Sequence, residues 1–111
     1  MIARVWHGWT NHDNAKAYET LLLTSILPGI AAKGLPGYLG AHLYRRVDRE
    51  RVEFITTMFF DSIESVRAFA GEDYEKAVVP PEAQKLLARY DPRSRHCEVL
   101  LTSFNDSGFT R

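Results

Sequence analysis

The stretch YLGAHLYRRVDRERVEFITTMFF, residues 38–60, decides the fold of this chain. Tyr38 to Val47 and Val52 to Phe60 are rich in β-branched and aromatic residues, which favour strands. The connection between them, Asp48 to Arg51, is short, polar and charged, as in a tight antiparallel connection. The stretch therefore predicts a β-hairpin.

The second strand of this hairpin is apolar on both faces. Side chains alternate along a strand, so Phe54, Met58 and Phe60 share one side and Ile55 and Phe59 share the other. Soluble monomers rarely expose apolar patches larger than about 300 to 600 Å². We therefore expect helices to cover one face and a second copy of the chain to cover the other. The alternative is that the C-terminal helix or tail folds over the second face.

The segment before the hairpin predicts a strand followed by a helix. Ile2 to Thr10 carries strand-forming residues, and Asn11 to Asn14 favours a helix N-terminus. Pro28 and Gly29 fall inside the helical pattern, so we expect a kink or break there. Apolar residues recur at every fourth position of that pattern: Tyr18, Leu22, Ile26 and Ile30.

The segment after the hairpin predicts one or two helices and a last strand. Asp61 or Ser62 caps a helix that Gly71 ends or interrupts, and residues 80–82 start another. Residues 94–103 are typical of a strand. The order β-α-β-β-α-(α)-β predicts one α+β domain of the ferredoxin-like kind, residues 1–103, followed by a polar tail at 104–111. Its four-stranded antiparallel sheet would carry the helices on one face.

Composition limits the class of protein. The 111 residues fit one domain, and 45% hydrophobic with 25% charged residues is ordinary for a globular protein. Fourteen basic and fourteen acidic side chains cancel, so we expect neither a nucleic-acid nor a membrane partner. Cys97 is the only cysteine, which excludes an internal disulfide. Arg4 and His7 interrupt any N-terminal apolar segment, so we expect a cytoplasmic protein.

Five short motifs between Met1 and about Leu101 carry a resemblance to a known family. The chain resembles the antibiotic biosynthesis monooxygenase-like family of the dimeric α/β-barrel superfamily, which implies a homodimer whose two sheets form a barrel. Family members include cofactor-independent monooxygenases, quinol oxygenases and haem-degrading enzymes. The motifs are Trp6-His7 with Trp9, Pro28-Gly29-Ile30, Leu35-Pro36-Gly37-Tyr38, Phe60-Asp61-Ser62-Ile63-Glu64-Ser65-Val66 and Asp73-Tyr74-Glu75-Lys76-Ala77.

The resemblance also bears on cofactors. The haem-degrading branch typically supplies an axial histidine at a position that falls near Val78 or Val79 in this chain, and no histidine lies between His42 and His96. Valine cannot ligate iron, so we do not expect haem. The chain also lacks a Gly-rich phosphate loop or dinucleotide fingerprint. We therefore expect no cofactor.

The resemblance places the ligand cavity between the sheet and the helices, with His7, Trp9 and Phe60 on the cavity side and Tyr74 closing it. His7 is the candidate catalytic base, because imidazole titrates near neutral pH. The alternative for His7 is a half-buried strand histidine. Alternation also places Tyr38 and His42 on one face of their strand. The candidate substrate-binding residues are Trp9, Tyr38, His42, Phe60 and Tyr74.

Together these expectations predict a cofactor-independent monooxygenase-like enzyme that acts on a small aromatic or quinone-like metabolite. The alternative is a non-catalytic dimeric module that binds a small ligand or has a structural role. We expect no metal site. A site made from His7, His96 and Glu98 would require the first and last strands to be neighbours, and their spacing has no metal-binding pattern.

Overall fold

The computed structural model describes residues 1–104. Leu22–Ile26 forms one π-helical turn that joins the first two α-helices. The order of elements confirms the predicted β-α-β-β-α-α-β pattern, with one additional two-residue strand. The elements are β1 (Ile2–Thr10), α1 (His12–Leu21), α2 (Leu27–Ala32), β2 (Tyr38–Val47), β3 (Val52–Phe60), α3 (Ile63–Ala70), α4 (Pro81–Leu86), β4 (Arg89–Tyr90) and β5 (Arg95–Glu98).

The strands form one antiparallel sheet with β1 and β3 at its centre. Its order is β2-β3-β1, and the free side of β1 pairs with two short strands. β5 pairs with the first half of β1, and β4 pairs with Gly8 and Trp9 near its end. Two short strands therefore fill the position where the sequence predicts one long strand. The α+β, ferredoxin-like fold is as predicted.

The hydrophobic core lies between the sheet and the helices. Even-numbered side chains of β3 point toward the helices, and Phe54 and Phe60 are at most 1% exposed. Tyr18 of α1 packs edge-on against Phe54, with ring centroids 5.0 Å apart. Val66 of α3 packs in a second cluster with Phe60. These contacts hold both helical segments on one face of the sheet.

The first helical segment does not break at Pro28. Pro28 has no amide hydrogen to donate to the preceding turn. The Leu27 amide donates instead to the Leu22 carbonyl, five residues back, which widens the helix into a π-helical turn. The Thr24 hydroxyl donates to the Thr20 carbonyl over 2.7 Å. The helix then continues to Ala32, so the expected irregularity takes the form of a widened turn and not of a break.

The ends of α3 and α4 follow the predicted capping signals. The Ser62 hydroxyl accepts from the Ser65 amide at the start of α3, and Gly71 ends this helix at a positive φ of 93°. α4 begins at Pro81, as predicted. It ends at Leu86, three residues before β4 begins at Arg89.

The hairpin has the predicted tip and one irregularity. The Asp48 carboxylate accepts from the amides of Glu50 and Arg51 at the tip. Near the start of β2 the register shifts, so that Tyr38 pairs with Phe60 whereas Gly40 pairs with Phe59. This bulge changes the alternation, because an extra residue reverses the side to which later residues point.

The last strand ends at Glu98, before the predicted end at residue 103. Residue 104 is the only described residue of the predicted tail, and residues 105–111 lie outside the described range. Within residues 1–104, no helix has the length and apolar character that crossing a membrane requires.

Candidate functional site

A cavity of about 280 Å³ lies between the sheet and the helices. The volume lies just below the range of about 300 to 1,000 Å³ that is usual for small-molecule sites. The sheet contributes four side chains to its wall: Arg4, Trp6, Thr56 and Met58.

The helical layer forms the rest of the wall, and most of it is apolar. Three of these residues show where the cavity opens, because Gly29, Lys33 and Val78 are exposed. The remaining residues of this part of the wall are Tyr18, Leu22, Ile26, Leu27, Ile30, Phe69, Val79, Pro80, Ala83 and Ser94. The π-helical turn contributes Leu22 and Ile26, so the widened turn forms part of the wall.

Charge on the cavity wall is of one sign. Arg4 and Lys33 are the charged residues that line it, and no aspartate or glutamate among the described residues does so. Hydroxyl groups come from Tyr18, Thr56 and Ser94. The wall thus combines apolar surface with cationic and hydroxyl groups, a composition common in small-molecule sites.

Arg4 is the most unusual residue of the wall. It is 4% exposed, although arginine is almost never buried without a partner. Its guanidinium donates from Nη1 to the Tyr74 carbonyl and from Nη2 to the Lys76 carbonyl, 3.0 Å away. It also lies 5.6 Å from the centre of the Phe69 ring. Burial lowers the pKa of Arg4 to about 10, which leaves it charged at neutral pH.

His96 of β5 lies next to Arg4. Its Nε2 is 3.1 Å from Arg4 Nη1, and its ring meets Tyr74 edge-on at 5.1 Å. Burial, and secondarily the charge of Arg4, lowers the pKa of His96. Nδ1 of His96 is buried and has no hydrogen-bond partner among the described residues. His96 supports the Arg4 side chain without lining the cavity itself.

Tyr18 places a phenol in the cavity wall. The residue is 1% exposed, and its hydroxyl makes no hydrogen bond to another described residue. Burial raises the pKa of Tyr18 to about 12, so the phenol stays protonated at neutral pH. It can therefore donate a hydrogen bond to a ligand oxygen.

The structure places His7 and Trp9 away from this cavity. They share one face of β1, as expected, and their rings stack with centroids 6.0 Å apart. That face points away from the helices, because the alternate residues Arg4 and Trp6 line the cavity. His7 Nδ1 lies 2.6 Å from an oxygen of Glu53. The expectation that His7 and Trp9 lie beneath the helices was therefore wrong. The even-numbered residues of β1 face the helices, and the odd-numbered residues, including His7 and Trp9, face away from them.

Trp9 has its own partners on the outward face. The guanidinium carbons of Arg51 and Arg89 lie 5.2 and 4.6 Å from the centre of its ring. Such contacts between cations and an aromatic ring are attractive. They hold the indole at the end of β1, next to the hairpin tip and β4.

The other candidate residues also lie outside the cavity wall. Phe60 is on the helix side, as expected, but it is fully buried in the core against Tyr38 and Phe69. His42 is exposed on the outward face against Phe59, so the bulge in β2 separates it from Tyr38. Tyr74 contacts His96 and accepts a hydrogen bond from Arg4 through its carbonyl.

The positions of these residues bear on the metal site made from His7, His96 and Glu98 and on the binding of haem. His7 and His96 lie on opposite faces of the sheet, which separates two ligands of the alternative metal site. Among the described residues no group of three metal-ligating side chains was found. Val78 and Val79, which the resemblance places near the axial histidine of the haem-degrading branch, are both in the cavity wall. No histidine or cysteine within residues 1–104 lines the cavity, so this wall does not fit the histidine-ligated haem of that branch.

Sequence reasoning missed Arg4 and Tyr18 as site residues. Arg4 lies on the same face of the strand as Ile2 and Trp6, so it is a charged residue on an otherwise apolar strand face. That pattern is a usable signal, because a charge pointing into a core needs a function or a partner. Tyr18 gave no such signal, because its position in the apolar stripe is typical of a core residue.

Comparisons with known proteins agree with the fold. No family model matches the chain, and no curated protein matches it. Among solved structures, it is similar to the heme-degrader MhuD from Mycobacterium tuberculosis, determined with two hemes bound in its active site. The TM-score is 0.60 at 18% sequence identity, over 94% of this chain and 100% of the other. The likeness supports the α+β, ferredoxin-like fold expected from the sequence.

Proposed function

We propose that this protein is a cofactor-independent monooxygenase-like enzyme that oxidises a small phenol- or quinol-type aromatic molecule in the cavity between sheet and helices. The observation that carries the proposal is the cavity itself. Its wall is mostly apolar and includes three residues that carry hydroxyl groups, Tyr18, Thr56 and Ser94. The fold that it shares with a heme-degrader adds support at the level of architecture.

The proposed reaction requires the protein to bind the substrate, to stabilise the negative charge of the phenolate and to exclude water. A phenolate passes electrons to dioxygen, one oxygen atom enters the ring as a carbonyl, and the other leaves as water. A phenol and dioxygen thus give a quinone and water, and the substrate supplies all four electrons. The protein must bind the ring, favour the phenolate and exclude water. An apolar wall beside the positively charged Arg4 suits these three tasks.

His7 cannot serve as a base within this cavity from its present position, since a base must reach the proton that it removes. Arg4 favours ionisation of a bound phenol by its charge, and the proton can leave through the mouth beside Lys33. We therefore propose the cavity residues, and not His7, as the groups that contact the substrate.

Turnover tests the proposal directly. The purified protein is mixed with 1-naphthol and with 1,4-dihydroxynaphthalene in buffer containing a metal chelator, and oxygen consumption and quinone absorbance are followed. We expect one quinone for each dioxygen consumed from 1-naphthol. Absence of protein-dependent oxygen consumption with a wider panel of phenols would contradict the enzymatic proposal.

A cavity-filling variant locates the reaction. Ala83 is 2% exposed in the wall, and Ala83→Leu adds three carbon atoms to it. We expect this variant to lose most of the turnover and the ligand binding. Ala17→Leu is the matched control, because Ala17 is exposed on α1. Equal turnover by Ala83→Leu and the wild type would place the reaction elsewhere.

The alternative is a non-catalytic module that binds a small ligand. The cavity supports it equally, because binding needs the same apolar wall. It predicts that aromatic molecules raise the melting temperature without any oxygen consumption. Oxygen consumption thus separates the two functions, whereas melting shifts do not.

We also propose that the protein is a homodimer through the outward face of the sheet. The described helices all pack on the other face, and the outward face carries Val5, Trp9, Ile55 and Phe59. A standard interface covers about 800 Å² of each partner, which is the scale of one small sheet face.

The free, exposed thiol of Cys97 supports a reducing compartment, and we propose the cytoplasm.

A further inference from the structure

Arg4 carries a charge that no acidic side chain within residues 1–104 neutralises. None of the ion pairs among the described residues includes Arg4. Glu75, the acid whose charge acts on His96, pairs with Arg93 at 3.3 Å. Burying a charge without a counter-charge is costly, and backbone carbonyls supply only partial compensation.

The guanidinium of Arg4 is only partly used by the protein. Nη1 contacts the Tyr74 carbonyl and His96, and Nη2 donates to the Lys76 carbonyl. Nε makes no hydrogen bond to another described residue. Nε and Nη2 form the edge with which a guanidinium holds a carboxylate through two parallel hydrogen bonds. One hydrogen on each of these nitrogens is free for a ligand.

The surroundings of the guanidinium belong in part to the cavity wall. Arg4 lines the cavity, and the Phe69 ring that lies against its guanidinium lines it too. The carbonyls of Tyr74 and Lys76 and the ring of His96 hold Nη1 and Nη2, which leaves Nε without a partner among the described residues. Lys33 adds a second positive charge at the exposed rim of the same cavity.

We infer that the cavity binds an aromatic acid, with the ring against the apolar wall and its carboxylate, or an equivalent anionic oxygen pair, on the free edge of Arg4. This inference rests on the proposed function only in taking the cavity as the ligand site. Arg4 supplies the specificity for the anion, and Lys33 attracts it at the rim. An aromatic molecule without the anion would leave the buried charge without a counter-charge.

A matched pair of probes tests the inference. 2-Naphthoate and 2-naphthamide share a ring system and differ in charge, and their binding is followed by quenching of tryptophan fluorescence and by calorimetry. We expect naphthoate to bind about 10- to 100-fold more tightly than the amide, which corresponds to charge-assisted hydrogen bonds at one site. Equal affinities would overturn the anion site while leaving an aromatic cavity.

Variants identify the residue responsible. Arg4→Met should bring the two affinities within about twofold of each other by weakening naphthoate, while the amide binds as before and reports an intact cavity. Preference for naphthoate in this variant would overturn the assignment to Arg4. If neither probe binds the wild type, both the inference and the proposed use of the cavity fail.

Arg4→Met also removes hydrogen bonds to residues 74–76 and can disturb folding. Lys33→Met is the second variant, because Lys33 is exposed and has no ion pair among the described residues. It should weaken naphthoate by about two- to fivefold and leave the amide unchanged. Lys85→Met, an exposed lysine of α4 outside the cavity wall, is the matched control. Equal losses in both lysine variants would contradict a role for the rim charge.

Discussion

Arg4 Nη1 lies 3.1 Å from His96 Nε2, and the two residues are directly paired across β1 and β5. Arginine can only donate, so Nε2 of His96 must accept, and the imidazole proton must be on Nδ1. A protonated His96 would bring a second positive charge against the buried guanidinium. The pair thus joins the cavity wall to the edge of the sheet and keeps His96 neutral.

The first prediction concerns the pH dependence of stability. Burial, and secondarily the charge of Arg4, lowers the folded-state pKa of His96 below its ordinary value of 6.5, so above 6.5 both folded and unfolded chains hold it neutral. As the pH falls below 6.5, the unfolded chain takes up a proton that the folded chain does not. Stability is therefore lost progressively toward the lowered pKa. Urea unfolding between pH 5 and 7.5 measures this loss.

His96→Gln keeps a hydrogen-bond acceptor for Arg4 but does not titrate in this range. Its unfolding free energy should depend less on pH than that of the wild type. His12→Gln removes an exposed histidine and leaves the Arg4–His96 contact, so it should keep the wild-type dependence. The same pH dependence in His96→Gln and the wild type would refute the assignment.

The second prediction concerns Gly37, which directly precedes β2 and lies against the start of α3. Gly37 has a φ of 75°, and an added Cβ would lie 2.1 Å from Ser65 Oγ and 2.2 Å from Asp61 Oδ1. We expect Gly37→Ala to lower the free energy of unfolding by about 2 to 4 kcal/mol, the sum of backbone strain and overpacking. Chemical denaturation measures the change.

Gly34→Ala is the control for the backbone contribution. Gly34 has a φ of 61°, and an added Cβ there meets no atom within 4 Å. The control should lose about 1 to 2 kcal/mol from strain alone. Equal losses at both positions would mean that the Asp61–Ser65 contact does not limit the space at Gly37.

The third prediction concerns the proposed dimer. Phe59 lies on the outward face of β3, and Phe59→Glu would place a negative charge in the interface. We expect dimerisation to weaken by at least about 100-fold, because a buried unpaired charge is costly. Sedimentation velocity at micromolar concentration measures it. Leu23→Glu, at a 54% exposed position on the helical side, should leave the dimer intact. A monomeric wild type would refute the dimer itself.

The fourth prediction separates the two faces of β1. His7→Gln removes the contact with Glu53 on the outward face, and it leaves the cavity wall unchanged. We expect the binding of 2-naphthoate to stay within about twofold of the wild type, while the dimer weakens by about two- to tenfold. A tenfold loss of cavity binding in a fully dimeric His7→Gln would instead support the sequence-based role of His7.

The sequence determined the architecture because its signals are local. Strand alternation, the charged tip at 48–51 and the caps at Ser62 and Pro80 each act within a few residues, and the predicted order of elements formed, with a shorter last strand and one additional short strand. The alternation of side chains along β1 also placed His7 and Trp9 correctly on one face of the strand. The residues alone did not decide which of the two groups on β1 faces the helices, because both contain aromatic side chains.

Only the tertiary structure decided which face of β1 is turned toward the helices. That choice also decided which residues line the candidate site. The bulge at the start of β2 separated Tyr38 from His42. An isolated glycine in a strand, such as Gly40 with its φ of 140°, is a signal for a bulge, but the residue by itself does not decide whether the extra residue is inserted. Packing of Tyr18 against Phe54 fixed the helices on the even-numbered face, which buried Arg4 and left His7 outward. A one-residue change of phase exchanges the two faces of a strand, so the position of each candidate side chain depended on contacts between distant segments.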